Sequence, residues 1–406
     1  MKIIVQKFGG TSLATKDRIQ KAAEKVIEAK KKGYDVVVVV SAMGRSGDPY
    51  ATDTLLDYVK SSVKKVSSRE LDLLLNCGEI ISAVVFSQSL ESMGFKSTAL
   101  TGAQAGIITD SSFNCARILR VKADRVLENL KEGKIVVVTG FQGITDGGDL
   151  TTLGRGGSDT TAAALGSALN AEFIEIFTDV DGVKTADPRI VKDARTLQTA
   201  TYYEICQLAH QGAKVIHPRA VEIAMQQNIP LKIRSTFSDT PGTLVTSCRN
   251  NLKEIELISE RLITGITYMT NLTQIKIDPD KDRCLDETQL KIFRSLADAN
   301  ISIDFINVSP HKIKFTVKES DNVKVRQIIK DLGLNSQINT GCAMVSIVGA
   351  NIMGVPGVMA KIMEALVKEN VQILQTADSY TSIWCLVKQE NLEKAIIALH
   401  KEFELY

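Results

Sequence analysis

In the stretch IIVQKFGGT, residues 3–11, a short strand-like segment runs into Lys7, Phe8 and the pair Gly9-Gly10. A predicted amphipathic helix over 16–32 follows directly. A strand that ends in Lys-x-Gly-Gly before a helix can place backbone N–H groups and a full positive charge against an anion. An ordinary βα turn with a solvated lysine is equally compatible with this motif alone. The stretch is not a Walker A loop, because GxxxxGK[ST] occurs nowhere in the chain.

The composition predicts a cytoplasmic protein of two or three domains. The 406 residues include 49 basic and 47 acidic side chains, and a net charge of +2 does not favour nucleic acid or a membrane surface as a partner. The seven cysteines are dispersed without a CxxC pair, which favours reduced thiols over disulfides or a metal site. The longest apolar run, at 36–40, is too short to span a bilayer.

Strand-like and helical segments alternate up to about residue 245, which predicts an α/β sandwich. Near-continuous Val/Ile runs favour strands that are buried on both faces of a largely parallel sheet. The predicted strands are 3–6, 36–40, 98–101, 135–139, 173–177 and 231–233, with further helices over 122–132 and 201–211. Ligands of such sheets bind beyond the carboxyl ends of the strands, so the loops there are the candidate functional segments.

Three of these loops share a polar or glycine-rich character. The sequence SAMGRSGDPYATDTLL follows the strand at 36–40, and GRGGSD at 154–159 precedes an alanine-rich helix. TDVDGVKTADPRIV follows the strand at 173–177 and suits a loop that closes over a nucleotide. Each is compatible with an ordinary loop when taken alone. Together, on one edge of one sheet, they predict a site for a phosphate-rich substrate.

Two positive side chains and one buried carboxylate are the main candidates for chemistry. If Lys7 and Arg155 converge, they surround a transferring phosphoryl group, whose transfer needs mainly positioning and charge neutralisation. Glu79 lies in an apolar, helix-like stretch, and a buried carboxylate must be paired. Its partner is either a substrate ammonium or a group of the protein itself. His217, in an HP pair at a helix start, is interpreted as structural.

After about residue 245 a βαββ rhythm appears twice. Residues 291–318 align without a gap onto residues 361–388, an offset of 70. The sequence therefore predicts an internal duplication of a small α+β module. Each module would expose the edge of its sheet, so two modules are expected to pair.

Taken in order, the motifs resemble those of the aspartokinase family over essentially the full length. They are KFGGTS at 7–12, SAMG at 41–44, CGEIIS at 77–82, GRGGSD at 154–159, TDVDGV at 178–183, DPR at 187–189 and GAKVIHPRA at 212–220. The resemblance implies an amino-acid-kinase (carbamate-kinase-like) αβα sandwich over 1–245. Two α+β (βαββαβ) ACT-like domains would follow over 262–340 and 341–406.

The resemblance implies a kinase that uses ATP with Mg²⁺ to convert L-aspartate to 4-phospho-L-aspartate. This is the first step of lysine/diaminopimelate, threonine and methionine biosynthesis. Lys7 and Asp159 are implied as catalytic, and the aspartate pocket as Arg155 on the α-carboxylate and Glu79 on the ammonium, lined by Ser41, Thr52 and Ser158. The implied nucleotide-binding residues are Lys7, Phe8, Gly9, Gly10, Thr178, Asp179, Lys184, Arg189 and Lys214. No general base is required, because a carboxylate with a pKa of about 3.9 is already ionised at neutral pH.

The paired modules imply feedback by an end-product amino acid, which is lysine, diaminopimelate or threonine. We expect a homodimer formed through the ACT-like domains, with the effector at their seam. The stretch VGANIMGVPGV at 348–358 is the predicted contact, because its glycines leave backbone groups open beside a helix start. The residues predicted to bind the effector are Met353, Gly354, Val355 and Pro356.

Two other functions are compatible with parts of this pattern. One is a related small-molecule kinase that acts on glutamate, acetylglutamate or uridylate. The other is a regulatory sensor with an inactive kinase domain. The paired modules and Glu79 favour aspartate over the first group. The complete set of Lys7, Glu79, Arg155 and Asp159 favours an active enzyme over the second.

Overall fold

A computed structural model of the chain describes residues 1–213, 215–247, 262–277, 285–309, 312–350, 352 and 354–406. These residues divide into two units. The first unit comprises Met1–Val183, Thr196–His210 and the described part of Lys214–Glu256. The second comprises Lys184–Arg195, Gln211–Ala213 and the described part of Leu257–Tyr406.

Alternating strands and helices build the first unit. Its strands are β1 (Ile3–Phe8), β2 (Asp35–Val40), β3 (Ser97–Leu100), β4 (Ile107–Thr109), β5 (Ile118–Val121), β6 (Ile135–Thr139), β7 (Gln142–Thr145), β8 (Leu150–Thr152), β9 (Phe173–Thr178), β10 (Thr199–Thr201), β11 (Leu231–Ser235) and β12 (Thr243–Thr246). Its helices are α1 (Lys16–Lys31), α2 (Thr52–Ser62), α3 (Ser68–Ser92), α4 (Asp124–Lys131), α5 (Gly157–Ala168), α6 (Tyr202–His210) and α7 (Pro218–Gln226).

The main sheet of this unit has eight strands in the order β10-β12-β11-β9-β1-β2-β6-β3. All six strands predicted from the sequence are present in it, and the pairs that β1 forms with β2 and β9 are parallel, as predicted. Of its described pairs, only β11 with β12 is antiparallel. The runs of Val and Ile made these six strands predictable, because strands buried on both faces of a sheet are apolar throughout.

Helices cover the two faces of this sheet, which confirms the predicted αβα sandwich. Apolar side chains of α1 and α3 share one buried cluster with β1, β2 and β6, including Val26, Phe86 and Val38. On the other face, a Cβ added at Gly166 of α5 would lie 2.5 Å from Ile174 Cδ1, so α5 packs directly on the sheet. The fold therefore brings the N-terminal end of α5 beside the carboxyl end of β1.

By length and composition, α3 is the one helix among the described residues that is apolar enough to cross a membrane. Half of that apolar window is buried inside the protein. The helix also buries two carboxylates, those of Asp72 and Glu79. These properties are typical of a core helix.

A second, four-stranded sheet in the order β5-β4-β7-β8 was not predicted. Its strands contain only three or four residues each, so they carry no apolar run or alternation that a sequence pattern would detect. Asp72 links α3 to this sheet, since its carboxylate accepts hydrogen bonds from Thr152 N–H at 2.9 Å and Thr152 Oγ1 at 2.7 Å.

The second unit contains two copies of one motif. Its elements are β13 (Gly265–Ile277), α8 (Leu285–Asp298), β14 (Asp304–Ser309), β15 (Lys312–Lys318), α9 (Asn322–Asp331), β16 (Ser336–Val348), α10 (Val358–Lys368), β17 (Gln375–Asp378), β18 (Ser382–Lys388) and α11 (Leu392–Glu402). The predicted duplication is confirmed, because α8-β14-β15-α9 is repeated as α10-β17-β18-α11. Leu272 pairs with Lys318 in the first copy, as Cys342 pairs with Lys388 in the second.

The two copies share one six-stranded sheet in the order β14-β15-β13-β16-β18-β17. Strand β13 pairs with β16 in both of its halves, but it pairs with β15 only through Leu272–Ile277; its first half, from Gly265 to Met269, lies beside the end of β16 alone. The second copy therefore uses the first half of β13, a segment that precedes α8 of the first copy in the chain. The predicted domain limit at 340/341 lies inside β16.

The segment Lys184–Arg195 lies between two parts of the first unit in the sequence, but it belongs to the second unit. It supplies Ala186, Val191 and Ala194 to an apolar cluster that also includes Ile266 and Ile347. The predicted domain 1–245 differs from the observed division for this reason.

Candidate active site

The carboxyl edge of the eight-stranded sheet brings Lys7 and Asp159 together. Lys7 is near the end of β1, and Asp159 is in the first turn of α5. Lys7 Nζ lies 2.7 Å from Asp159 Oδ1, and both side chains are nearly buried. Asp159 Oδ2 accepts a hydrogen bond from the backbone N–H of His217 at 3.2 Å. The lysine is therefore held in place by a carboxylate that is itself fixed.

The Gly9-Gly10 pair is packed directly against the loop that follows β2. The N–H of Gly44 donates to the carbonyl of Gly10 at 3.0 Å. A Cβ at Gly10 would lie 2.6 Å from Ala42 O and 2.7 Å from Gly44 O, so no larger residue fits there. Phe8 has no exposed surface and stacks on Phe177 with ring centroids 4.7 Å apart. The ring of Phe8 is therefore part of the core.

The second glycine-rich segment turns sharply into α5. Gly156 caps this helix with a φ of 68°, and a Cβ there would lie 2.1 Å from the His217 ring. Ser158 follows in the first turn, and its Oγ accepts a hydrogen bond from Ser41 Oγ at 3.0 Å. Arg155 is exposed and forms no ion pair within the described part of the chain. The motif thus combines a helix N-terminus with an exposed guanidinium, a combination that suits an anion.

Glu79 is the most perturbed carboxyl group of the site. It is 2% exposed, and burial raises its pKa to about 8, opposed in part by a hydrogen bond from the backbone N–H of Ala42. Glu79 Oε1 accepts from the N–H of Ala42 at 3.2 Å, whereas Oε2 is buried without a hydrogen-bond partner. No described cation pairs with it. The structure therefore leaves one carboxylate oxygen available for a positive group, next to Ser41.

Two threonines, Thr52 and Thr54, lie close together at the start of α2. Thr54 Oγ1 accepts a hydrogen bond from the N–H of Gly47 at 3.0 Å, so it serves its own loop. Thr52 is the first residue of α2 and is partly exposed. Thr52 therefore stays a predicted pocket residue.

The third loop follows β9 and is joined to its neighbours by hydrogen bonds. Thr178 accepts a hydrogen bond on its carbonyl from Thr236 N–H at 2.9 Å, and Asp181 accepts from Ser238 Oγ at 2.6 Å. Asp179 Oδ2 lies 2.7 Å from Arg45 Nη2. Thr178 and Asp179 are thus at the same sheet edge as Lys7.

Four predicted site residues lie in the second unit or outside the described residues. Lys184 and Arg189 belong to the second unit, where Arg189 forms an ion pair with Asp187 at 2.7 Å. Lys214 and Met353 lie outside the described residues. Their predicted roles rest on the family resemblance alone. The neighbouring residues Gly354, Val355 and Pro356 are described and exposed.

Two contributors were not identified as such from the sequence. Arg45 joins two loops of the edge, but an arginine in a polar loop carries no distinguishing signal. His217 was interpreted as structural, and it does cap α7, where its Nδ1 accepts from Arg219 N–H at 3.4 Å. Its backbone contact with Asp159 could not be predicted, because it joins positions 58 residues apart.

Comparison with known proteins gives matches over the full chain. The amino acid kinase family profile matches residues 2–235, and an ACT domain profile matches residues 337–401. The chain is 51% identical over 405 residues to aspartokinase 1 of Bacillus subtilis (strain 168), with 100% of both chains covered.

Two solved structures are similar over nearly the whole chain. Escherichia coli aspartokinase III in complex with aspartate and ADP has a TM-score of 0.79 at 25% identity, covering 98% of this chain and 99% of that chain. Clostridium acetobutylicum aspartate kinase, described as an important allosteric enzyme, has a TM-score of 0.78 at 25% identity, covering 98% and 100%.

Proposed function

The chain belongs to the aspartokinase family, and from this premise we propose that it makes 4-phospho-L-aspartate and ADP from L-aspartate and ATP. We assign this reaction to the entry into lysine/diaminopimelate, threonine and methionine biosynthesis. The observation that carries the proposal is the buried, unpartnered oxygen of Glu79, in the same unit as the Lys7–Asp159 pair. A substrate that has both an ammonium and a carboxylate satisfies these groups together.

In the proposed reaction the β-carboxylate of aspartate attacks the γ-phosphorus. A new O–P bond forms, and the bond between the γ-phosphorus and the bridging oxygen breaks, so ADP leaves with the electron pair. Lys7 neutralises the charge that develops on the bridging oxygen, because its ammonium is already oriented by Asp159. Gly9 and Gly10 donate backbone N–H groups to the phosphates. The attacking carboxylate is ionised at neutral pH, so no side chain has to remove a proton.

Different residues are assigned to the ammonium and to the α-carboxylate of aspartate. Glu79 takes the ammonium, and the guanidinium of Arg155 takes the α-carboxylate with two parallel hydrogen bonds. Ser41, Ser158 and Thr52 line the same pocket. Thr178 and Asp179 are assigned to the nucleotide. Lys184, Arg189 and Lys214 are also proposed as nucleotide-binding residues, on the family resemblance alone.

Mg²⁺ is proposed to enter with ATP. No group of three His, Cys, Asp or Glu side chains that could hold a metal occurs within the described residues. Mg²⁺ usually keeps several waters and binds through substrate phosphates with one or two carboxylates, which fits this site. The metal would supply charge neutralisation on the phosphates, whereas Lys7 and the glycine amides position them.

Regulation is proposed to act through the second unit. The edge strands β14 and β17 of its sheet are open, and side chains such as Ile306 and Val308 are exposed on β14. Open edges favour pairing with a second copy. We propose a homodimer through these modules, with lysine, diaminopimelate or threonine bound near Gly354, Val355 and Pro356.

A coupled assay of ADP release tests the catalytic proposal. Purified protein is given ATP and Mg²⁺ with L-aspartate, L-glutamate, N-acetyl-L-glutamate or uridylate. Only aspartate is expected to give turnover. Preference for another acceptor would assign the site to a related kinase. Absence of turnover with all four would favour a regulatory sensor.

A further inference from the structure

Arg45 lies in the loop after β2 and contacts the two other loops of the carboxyl edge. Its Nη2 lies 2.7 Å from Asp179 Oδ2, in the loop after β9. Its Nε donates to Thr11 Oγ1 at 3.0 Å, just beyond the Gly9-Gly10 pair. One guanidinium therefore joins the loops that follow β1, β2 and β9. The family resemblance assigned no role to it.

The backbone that presents this guanidinium is fixed by its own hydrogen bonds. The N–H of Arg45 donates to Asp48 Oδ2 at 2.8 Å, and the N–H of Asp48 donates back to the Arg45 carbonyl at 2.9 Å. Gly44 has a φ of +85°, and a Cβ there would lie 2.3 Å from the Asp48 carboxylate. Because Gly44 also donates to Gly10, the turn is anchored on the Gly9-Gly10 segment, which we call the phosphate loop. The position of the Arg45 side chain follows from a rigid turn.

Stability does not explain the contact between Arg45 and Asp179. Their side chains are 71% and 39% exposed, and exposed ion pairs contribute only about 0–1 kcal/mol. Instead, the contact fixes the orientation of Asp179. The second oxygen of that carboxylate accepts from Thr178 Oγ1 at 3.3 Å, so the carboxylate is held from both sides. The guanidinium also neutralises a negative charge at the place assigned to a polyanionic nucleotide.

We propose that Arg45 is a positioning residue for ATP: it holds Asp179 against the phosphate loop and neutralises its charge. This inference deepens the proposed function and rests on it, since Asp179 is assigned there to the nucleotide. Without the guanidinium, the Asp179 carboxylate loses its fixed orientation. Its negative charge is then also no longer neutralised near the phosphates. The loss should therefore appear in ATP binding, and it should weaken with salt, because salt screens exposed charges.

The test compares wild type with Arg45→Ala, Arg45→Lys and the control Arg120→Ala. Arg120 forms a similar exposed pair with Asp146 at 2.5 Å, but in the four-stranded sheet. We expect Arg45→Ala to raise KM for ATP about three- to tenfold, the scale of one partly exposed charge-assisted contact. Both kcat and KM for aspartate should stay within about twofold. Arg45→Lys keeps the charge and should recover part of the loss, whereas Arg120→Ala should match wild type.

A salt series and a double-mutant cycle separate positioning from other roles. Between about 0.01 M and about 1 M salt the screening length falls from about 30 Å to about 3 Å, and the defect of Arg45→Ala should shrink accordingly. Binding of ADP by calorimetry supplies a readout that needs no turnover. In the cycle, Arg45→Ala and Asp179→Asn should be non-additive, because each removes the same contact.

Several results would overturn the inference. They are an unchanged or lowered KM for ATP in Arg45→Ala, additivity in the cycle, or a fall in kcat at constant KM. The proposed function is judged separately, by wild-type turnover with aspartate. Turnover by wild type with a normal KM in Arg45→Ala would leave that function intact and reject the role of Arg45.

Discussion

The two units of this chain differ in where residues distant in sequence meet. In the first unit they meet at the ends of the strands, and in the second they meet within strands that two modules share. In the first unit each strand of the main sheet is one short run, and the candidate functional side chains lie near the strand ends, in the loops there or in neighbouring helices. In the second unit the strands β13 and β16 are 13 residues long and are divided between two modules. Gln274 bridges these modules, accepting from Asn339 Nδ2 at 2.9 Å and donating to Gln375 Oε1 at 2.8 Å.

The difference explains why substitutions should act locally in one unit and cooperatively in the other. A loop at the end of a buried strand can lose one side chain while the sheet persists, because the core lies elsewhere. A strand shared by two modules transmits any displacement to both. Catalytic substitutions should therefore leave the first unit folded, and regulatory substitutions should alter a response without altering turnover.

The largest effect is expected for Lys7→Ala. Loss of a preoriented charge at the transition state should lower kcat by more than about a hundredfold, on the order of 3 kcal/mol. The fold should be kept, because Lys7 is at the end of a strand. Steady-state kinetics and circular dichroism check both statements.

Lys25→Ala is a matched control for Lys7→Ala. Lys25 Nζ pairs with Asp239 at 2.5 Å, and its side chain is about as buried as that of Lys7. It lies in α1 and contacts the loop after β11, but it is not among the candidate site residues, so kcat of this variant should be unchanged. Near wild-type turnover of a folded Lys7→Ala protein would refute the catalytic role.

The strands of the first unit could be predicted from the sequence because each one is a short apolar run of neighbouring residues. Strand β2 was predicted within one residue, since a run of five valines fits only a buried strand. The pairing of Lys7 with Asp159 was expected from the family resemblance. No sequence pattern predicted the contact of Arg45 with Asp179, because it joins loops 134 residues apart and both residues are ordinary in polar loops.

The second unit was predicted less completely for a related reason. The offset of 70 residues identified the repeat, but it gave no information on which strands pair. Strand β13 pairs with β16 along its length with a register shift between Met269 and Leu272, and it pairs with β15 only from Leu272 onward. Such a pairing depends on the whole sheet. The same holds for Lys184–Arg195, whose small apolar residues gave no sign that they pack in another unit.

The second largest effect is expected for Arg155→Lys. An ammonium cannot replace the two parallel hydrogen bonds of a guanidinium to a carboxylate. KM for aspartate should rise by about tenfold or more, the scale of a charge-assisted contact. Affinity for ATP, measured by calorimetry, should be nearly unchanged. An equal loss of ATP affinity would instead place Arg155 at the nucleotide.

Glu79→Gln should weaken aspartate binding and change its pH dependence. With a pKa of about 8, Glu79 is mostly protonated at neutral pH in the absence of substrate. An ammonium ligand favours the ionised form, so aspartate binding should release a proton and strengthen as pH rises from about 6.5 to about 8.5. The variant should lose this dependence. Calorimetry in buffers of different ionisation enthalpy measures the proton release.

The same carboxyl group should affect stability with the opposite sign. Its pKa is raised from 4.5 to about 8 on folding, so the folded state binds more protons than the unfolded state between these values. The free energy of unfolding therefore falls as pH rises through this window. Glu79→Gln should show a smaller fall in Tm between about pH 5 and about pH 8. Parallel pH profiles of Tm would show that Glu79 is not buried as described.

The smallest effect, and the one that tests the second unit, is expected for Gly354→Asp. Gly354 is exposed with a φ of +80°, and no atom lies within 4 Å of an added Cβ, so an aspartate fits there sterically. Its negative charge would repel an effector carboxylate near the start of α10. Inhibition by lysine, diaminopimelate or threonine should therefore weaken by several-fold, while kcat and both KM values stay at wild-type levels.

Gly333→Asp is the matched control, because Gly333 has a φ of 66° in the other module, after α9. An effector distinguishes two states only through different affinity for them, so a loss of inhibition must be accompanied by weaker binding of the same amino acid. Calorimetry and inhibition curves on both variants test this link. Full sensitivity of Gly354→Asp, or equal loss in Gly333→Asp, would move the effector site elsewhere in the shared sheet.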